Sequence, residues 1–208
     1  MYTLYGAKGT GSAIAEVAFE VAGVPYERVD LDYEADTGWT SRTLAGMNPL
    51  GQVPTVRRPD GGVMTESAAI VLHLADLAPG CGLAPRPDDP RRPDFLRWLV
   101  WLVAAVYPTF TYGDRPERFV GGDVEAGKKL RAGTDDHRKD LLRFAEAHAG
   151  EPWFLGEWSA VDVYVWAMSH WRPGRAWVAA ECPKLAAITA RMAEHEVGKR
   201  VGARHGYR

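Results

Sequence analysis

Five prolines fall between residues 77 and 94, in the stretch LAPGCGLAPRPDDPRRPD. Proline lacks the backbone N–H that a helix interior or a central strand requires. No regular element therefore runs through this stretch, and it reads as a semi-rigid linker, set at 79–92. The chain on either side is patterned differently. Short alternating runs and helical periods mix before it, and only helical periods follow it.

Residues 2–5, YTLY, predict a strand, and GAKGTG predicts a flexible turn. SAIAEVAFEVAG follows with Ile14, Val17, Ala18 and Val21 on one helical face, Ser12 able to cap its start and Gly23 its end. YERVDLD (26–32) is a second strand, and residues 33–47 read as a loop with a short helix. VPTVRR, PDGG and VMTES (53–67) read as a hairpin, after which Ser67 caps a helix over 68–77. A strand–helix–strand start followed by an antiparallel hairpin implies a mixed sheet.

Beyond the linker the periods predict helices near 93–112, 122–149, 159–171 and 183–198. SAVD (159–162) is close to a capping box, with Asp162 in the position usually held by Glu or Gln. The expected division is 1–78, a linker at 79–92, and an all-helical domain over 93–208. Charge follows the division weakly, about −5 over residues 1–78 and about +3 after them. The uncharged run 98–113 is shorter than the roughly 20 residues a bilayer crossing needs, and Pro108 interrupts it, so it reads as a buried bundle helix.

A net charge of −2 argues against a general nucleic-acid or membrane-surface binder. Cys81 and Cys182 lie far apart in no metal-like spacing, so neither a disulfide framework nor a metal site is expected. The opening residues lack the apolar core of a signal peptide, and the expectation is a cytoplasmic protein.

Three motifs, in order, give the chain a resemblance: NPLGQVPTV (48–56), TESAAIVLHLAD (65–76) and FLGEWSAVDVYVWA (154–167). Together with the two-part organisation they resemble the cytosolic glutathione S-transferases, of the bacterial, beta- or theta-like type. The resemblance covers nearly the whole chain. It implies an α/β plus all-α fold: a thioredoxin-like domain with a mixed four-stranded sheet, then a helical domain. It implies glutathione as co-substrate, a hydrophobic electrophilic small molecule as second substrate, no metal, and a homodimer.

The resemblance also assigns residues. A cis bond before Pro54 would turn the backbone of Val53, next to Gln52, toward the cysteinyl part of glutathione; taken alone, Pro54 equally ends an edge strand in trans. Glu66 would contact the γ-glutamyl ammonium and Ser67 its carboxylate, at a helix start that favours anions. A hydroxyl near the first helix would hold the thiol as thiolate, the nucleophilic form. Counting forward from Tyr5 lands on Thr10, whereas counting back from Gly23 lands on Gly11 beside Ser12, so the loop departs from the family by one residue. The preference runs Ser12, Thr10, Tyr5, with Ser12 equally able to be a plain cap. Tyr107, Phe110 and Trp171 are the aromatic candidates for the electrophile site. His73 and His170 read as packing or surface residues. Two alternatives stay open: a non-catalytic binding module, and a glutathione-dependent isomerase, dehalogenase or etherase.

Overall fold

The computed structural model describes residues 1–32 and 41–207. Part of the loop expected at 33–47 thus lies outside the described residues, and Arg42–Leu44 within it form one 3-10 turn. The chain divides into two compact units, Met1–Arg92 with Met192–Arg208, and Pro93–Arg191. The sequence division places 93–208 in one helical domain; here the segment from Met192 onward belongs with the first unit.

In the first unit β1 (Tyr2–Gly6) is central. It pairs in parallel with β2 (Tyr26–Asp30) and antiparallel with β3 (Thr55–Arg57), which pairs antiparallel with β4 (Val63–Met64). The order β2-β1-β3-β4 is the mixed four-stranded sheet of a thioredoxin-like fold. α1 (Ser12–Ala22) and α2 (Ser67–Leu77) pack against each other. Tyr2 joins them to the sheet, its ring against Phe19 and its hydroxyl 2.9 Å from His73 Nε2, which makes His73 a packing residue.

Both helix starts differ from expectation. Gly11, not Ser12, is the α1 N-cap, and Glu66, not Ser67, is the α2 N-cap. Each serine is the first helical residue instead. α1 ends as expected at Gly23, in left-handed conformation.

The second unit contains α3 (Arg92–Trp101), α4 (Tyr107–Asp114), α5 (Val124–His148), α6 (Ala160–Ser169), α7 (Arg175–Glu181) and most of α8 (Pro183–Glu194). Between α3 and α4 the chain widens into a π-helical stretch, Leu102–Val106. A proline removes one helical hydrogen bond and crowds the carbonyl four residues earlier; the widened turn just before Pro108 relieves that crowding. Every residue of α6 is buried, as expected of a helix apolar on all sides. Its start is a full capping box: Ser159 accepts from Val161 N–H, and Asp162 accepts from Ser159 N–H. Among the described residues no helix is long and apolar enough to cross a membrane.

The predicted helix 183–198 is two helices, since α8 stops at Glu194 and α9 (Glu196–His205) starts anew. Gly198 sits so close to the Met192 carbonyl that a Cβ there would overlap it. Gly198→Ala is therefore expected to destabilise the protein by about 1–3 kcal/mol, as overpacking of a closed site does. A denaturation midpoint equal to that of the wild type would show that the α8–α9 junction yields freely. α9 packs on α1, and charge explains the match. Glu16 of α1 is fully buried and is met by Arg204 Nε, by His205 Nε2 at 2.8 Å and by Arg28 at 3.4 Å. Glu20, one turn on, binds Arg200 at 2.9 Å and Arg204 at 2.6 Å. Burial pushes the Glu20 carboxyl up, but the two arginines outweigh it and hold its pKa below the ordinary value.

Candidate functional site

The register brings three separate segments to one end of the sheet. Tyr5 pairs with Thr55 and Val56 with Met64. The loop leaving β1, the residues entering β3 and the residues leaving β4 therefore lie side by side. These are residues 7–11, 52–54 and 65–67, all within the first unit.

The middle segment is built by Asn48, a site residue that the motif NPLGQVPTV does not by itself single out. Its Oδ1 accepts from Leu50 N–H at 3.1 Å, and its Nδ2 donates to the Gln52 carbonyl at 3.1 Å and to Thr55 Oγ1 at 2.9 Å. An asparagine opening a Pro-Gly turn is the available signal, because its side chain bonds its own backbone two residues on. The peptide bond Val53–Pro54 is cis. Pro54 is buried and Val53 half-buried, and the Val53 N–H and C=O have no hydrogen-bond partner among the described residues. Gln52 is exposed, with its carbonyl held by Asn48 and by the Thr55 hydroxyl.

Beside it, Glu66 is exposed with φ 63°, the one non-glycine residue in the left-handed region among those described. That backbone is uncommon for a side chain and tends to occur where surroundings impose it. Ser67 is buried at the first position of α2. The first-turn N–H groups of a helix find no carbonyl inside it and carry the positive end of the dipole.

The three hydroxyls expected at the β1 loop separate clearly. Ser12 is fully buried; its Oγ donates to the Ala7 carbonyl at 2.9 Å and accepts from Ala7 N–H at 3.1 Å. Gly6 makes room for it, since a Cβ there would stand 2.8 Å from Ser12 Cβ. Thr10 is half-buried and donates to the Ala7 carbonyl at 2.7 Å, with Ser12 Oγ at 2.8 Å. Both hydroxyls are thus committed to closing the loop. Tyr5 is half-buried on the sheet face opposite Tyr2 and Leu4, by strand alternation. Its phenol has no hydrogen-bond partner among the described residues. The loop is also tied to the end of α9 and just beyond it: Gly9 N–H donates to His205 Nδ1 at 3.1 Å, and the Tyr207 hydroxyl donates to the Thr10 carbonyl at 3.4 Å.

In the second unit Tyr107, Phe110 and Trp171 form one cluster. Trp171 meets Tyr107 at 5.5 Å and Phe110 at 5.0 Å between ring centroids, both edge-on. Phe110 is buried, with the Arg138 guanidinium 4.0 Å above its ring; Tyr107 and Trp171 are half-buried. Arg138, overlooked in the sequence, is fully buried and holds the Thr109 carbonyl at 2.7 Å and the Arg172 carbonyl at 3.3 Å. His170 caps α6, its Nδ1 2.8 Å from the Trp166 carbonyl, and burial lowers its pKa. No group of three or more potential metal ligands occurs among the described residues.

The chain as a whole is similar to known proteins. Residues 12–77 match the family model described as glutathione S-transferase, N-terminal domain. The chain is 38% identical over 190 residues to the uncharacterised GST-like protein YncG of Escherichia coli K12, covering 90% of each. It is 26% identical over 192 residues to the glutathione S-transferase GstA of Escherichia coli O157:H7, covering 92% of each. Among solved structures, a glutathione transferase homologue from Sulfitobacter with bound glutathione superposes with a TM-score of 0.87 at 26% identity, over 98% of this chain and 97% of that one.

Proposed function

The chain belongs to the glutathione S-transferase family, and from that premise we propose that its first unit binds glutathione and activates the thiol for attack on an electrophilic small molecule. The observation that carries this reading is the unpartnered backbone of Val53 set beside the start of α2. A peptide laid against Val53 gains two backbone hydrogen bonds, and a carboxylate at α2 gains N–H donors and the helix dipole. Glutathione supplies both features. The Val53 N–H and C=O pair with its cysteinyl residue, and Gln52 flanks that pairing. Ser67 and the first turn of α2 take the γ-glutamyl carboxylate, while Glu66 takes the ammonium.

Hydrogen bonding favours Tyr5 among the three hydroxyls. Ser12 and Thr10 are engaged with Ala7, whereas the Tyr5 phenol has its donor to spare, so Tyr5 holds the thiolate and the two others shape the loop. Tyr107 and Trp171 contact the electrophile, backed by Phe110. The active form is a cytoplasmic homodimer, checked by its mass in solution.

Retention on immobilised glutathione and conjugation to an aryl halide test the reading, and absence of both sinks it. Tyr5→Phe is expected to raise the apparent thiol pKa seen in the pH dependence of conjugation by about one unit, leaving about tenfold less thiolate at pH values below that pKa. An unchanged profile in Tyr5→Phe, with a shift in Thr10→Ala instead, would move the role to Thr10.

A further inference from the structure

The β1–α1 loop is fastened by residues nearly two hundred positions away. His205 and Glu16 are both buried, with side-chain exposures of 0% and 1%. Gly9 N–H donates to His205 Nδ1, so that nitrogen must offer a lone pair. The ring proton therefore sits on Nε2, 2.8 Å from Glu16 Oε2. Glu16 in turn is held by Arg204 and Arg28. A carboxylate thus fixes one imidazole tautomer, and the imidazole's other face receives a loop amide. Tyr207 adds a second tie, to the Thr10 carbonyl.

From this geometry we infer that His205 is a positioning residue for the glutathione site, holding Gly9 and Thr10 so that the loop between Tyr5 and Ser12 is ordered before ligand arrives. The inference rests on the glutathione-binding reading. Without the tie, Gly9 N–H loses the His205 imidazole as acceptor and glutathione must order the loop on binding, which weakens its affinity. The Glu16–His205–Gly9 chain thereby couples α9 to the site through a proton that stays on one nitrogen.

Two substitutions separate the two ends of the imidazole. The Asn side-chain oxygen stands near where Nδ1 stands, and the Gln side-chain nitrogen near where Nε2 stands. His205→Asn keeps an acceptor for Gly9, while His205→Gln keeps a donor to Glu16. The expected result is about tenfold faster hydrogen exchange at the Gly9 amide and about tenfold weaker glutathione binding in His205→Gln, the loss expected for one buried hydrogen bond. His205→Asn should restore both toward wild type although both variants melt lower. Equal loop exchange in the two variants, or unchanged affinity in His205→Gln, overturns the inference. Should either variant fail to fold, imidazole nitrogen shifts of the wild type decide: a protonated Nδ1 overturns it, a protonated Nε2 upholds it. A wild type that does not hold glutathione overturns the functional reading instead, and the exchange comparison still judges the tie.

Discussion

Arg138→Met is expected to cost the protein about 3–5 kcal/mol, because it strands the partners of a buried charge. Arg138 Nε donates to Thr109 Oγ1 at 2.9 Å, Nη2 to the Thr109 carbonyl at 2.7 Å, and Nη1 to Asp135 at 2.8 Å and to the Arg172 carbonyl at 3.3 Å. Methionine fills the volume of the stem and satisfies none of these acceptors. Lysine keeps the charge but has a single nitrogen for a fork that spans two helices and a loop. The same fork fixes Arg172, next to Trp171, so the variant should also lose part of the near-ultraviolet circular dichroism of the aromatic cluster. A shift in denaturation free energy under 1 kcal/mol with that signal intact would mean that Thr109, Asp135 and Arg172 find other partners at little cost.

Asp162→Asn should cost about 3 kcal/mol, since the carboxylate receives buried N–H donors on both oxygens, Phe154 on Oδ1 and Ser159 on Oδ2, each at 2.8 Å. An amide has one acceptor and must turn its NH2 toward a donor. The size of the effect should depend on pH. Burial raises the Asp162 pKa to about 6, with the N–H donors pulling only part of the way back. A raised carboxyl pKa means that the folded chain binds the proton more tightly than the unfolded one. The stability this contributes is fully present below about pH 4 and is lost as pH rises through about 6. The gap between wild type and Asp162→Asn should therefore be widest near pH 4 and shrink toward its value of about 3 kcal/mol near pH 7. A gap that grows with pH would contradict the burial argument.

The parts of the molecule that were legible in the sequence are those whose partners lie nearby in the chain. Ser159 and Asp162 stand three residues apart and form the box that their spacing predicts. The hairpin at 55–64 and the helix end at Gly23 are likewise local. The hydroxyls of the β1 loop were harder. Whether Ser12 caps, reacts or closes the loop depends on the approach that Gly6 allows, and no period in the sequence encodes that distance. The return of α9 to the first unit was unreadable from α9, whose polar and apolar alternation names no partner. Glu16 carried the available signal. A carboxylate inside the apolar run AIAEVAF is almost never buried unless paired, so its presence there calls for cations from elsewhere. Tyr107 and Phe110 share a helix face by their spacing of three, but only the loop held by Arg138 brings in Trp171.

The first unit is interrupted in the chain by the whole of the second. During synthesis, at about 5–20 residues per second, the ribosome spends roughly 5–20 s making the second unit after the sheet, α1 and α2 have emerged. Throughout that interval Glu16 has Arg28 within reach but neither Arg204 nor His205, and Gly9 lacks the imidazole that receives its N–H. The nascent sheet is thus made early, and its β1–α1 loop is fastened late, once α9 has been released.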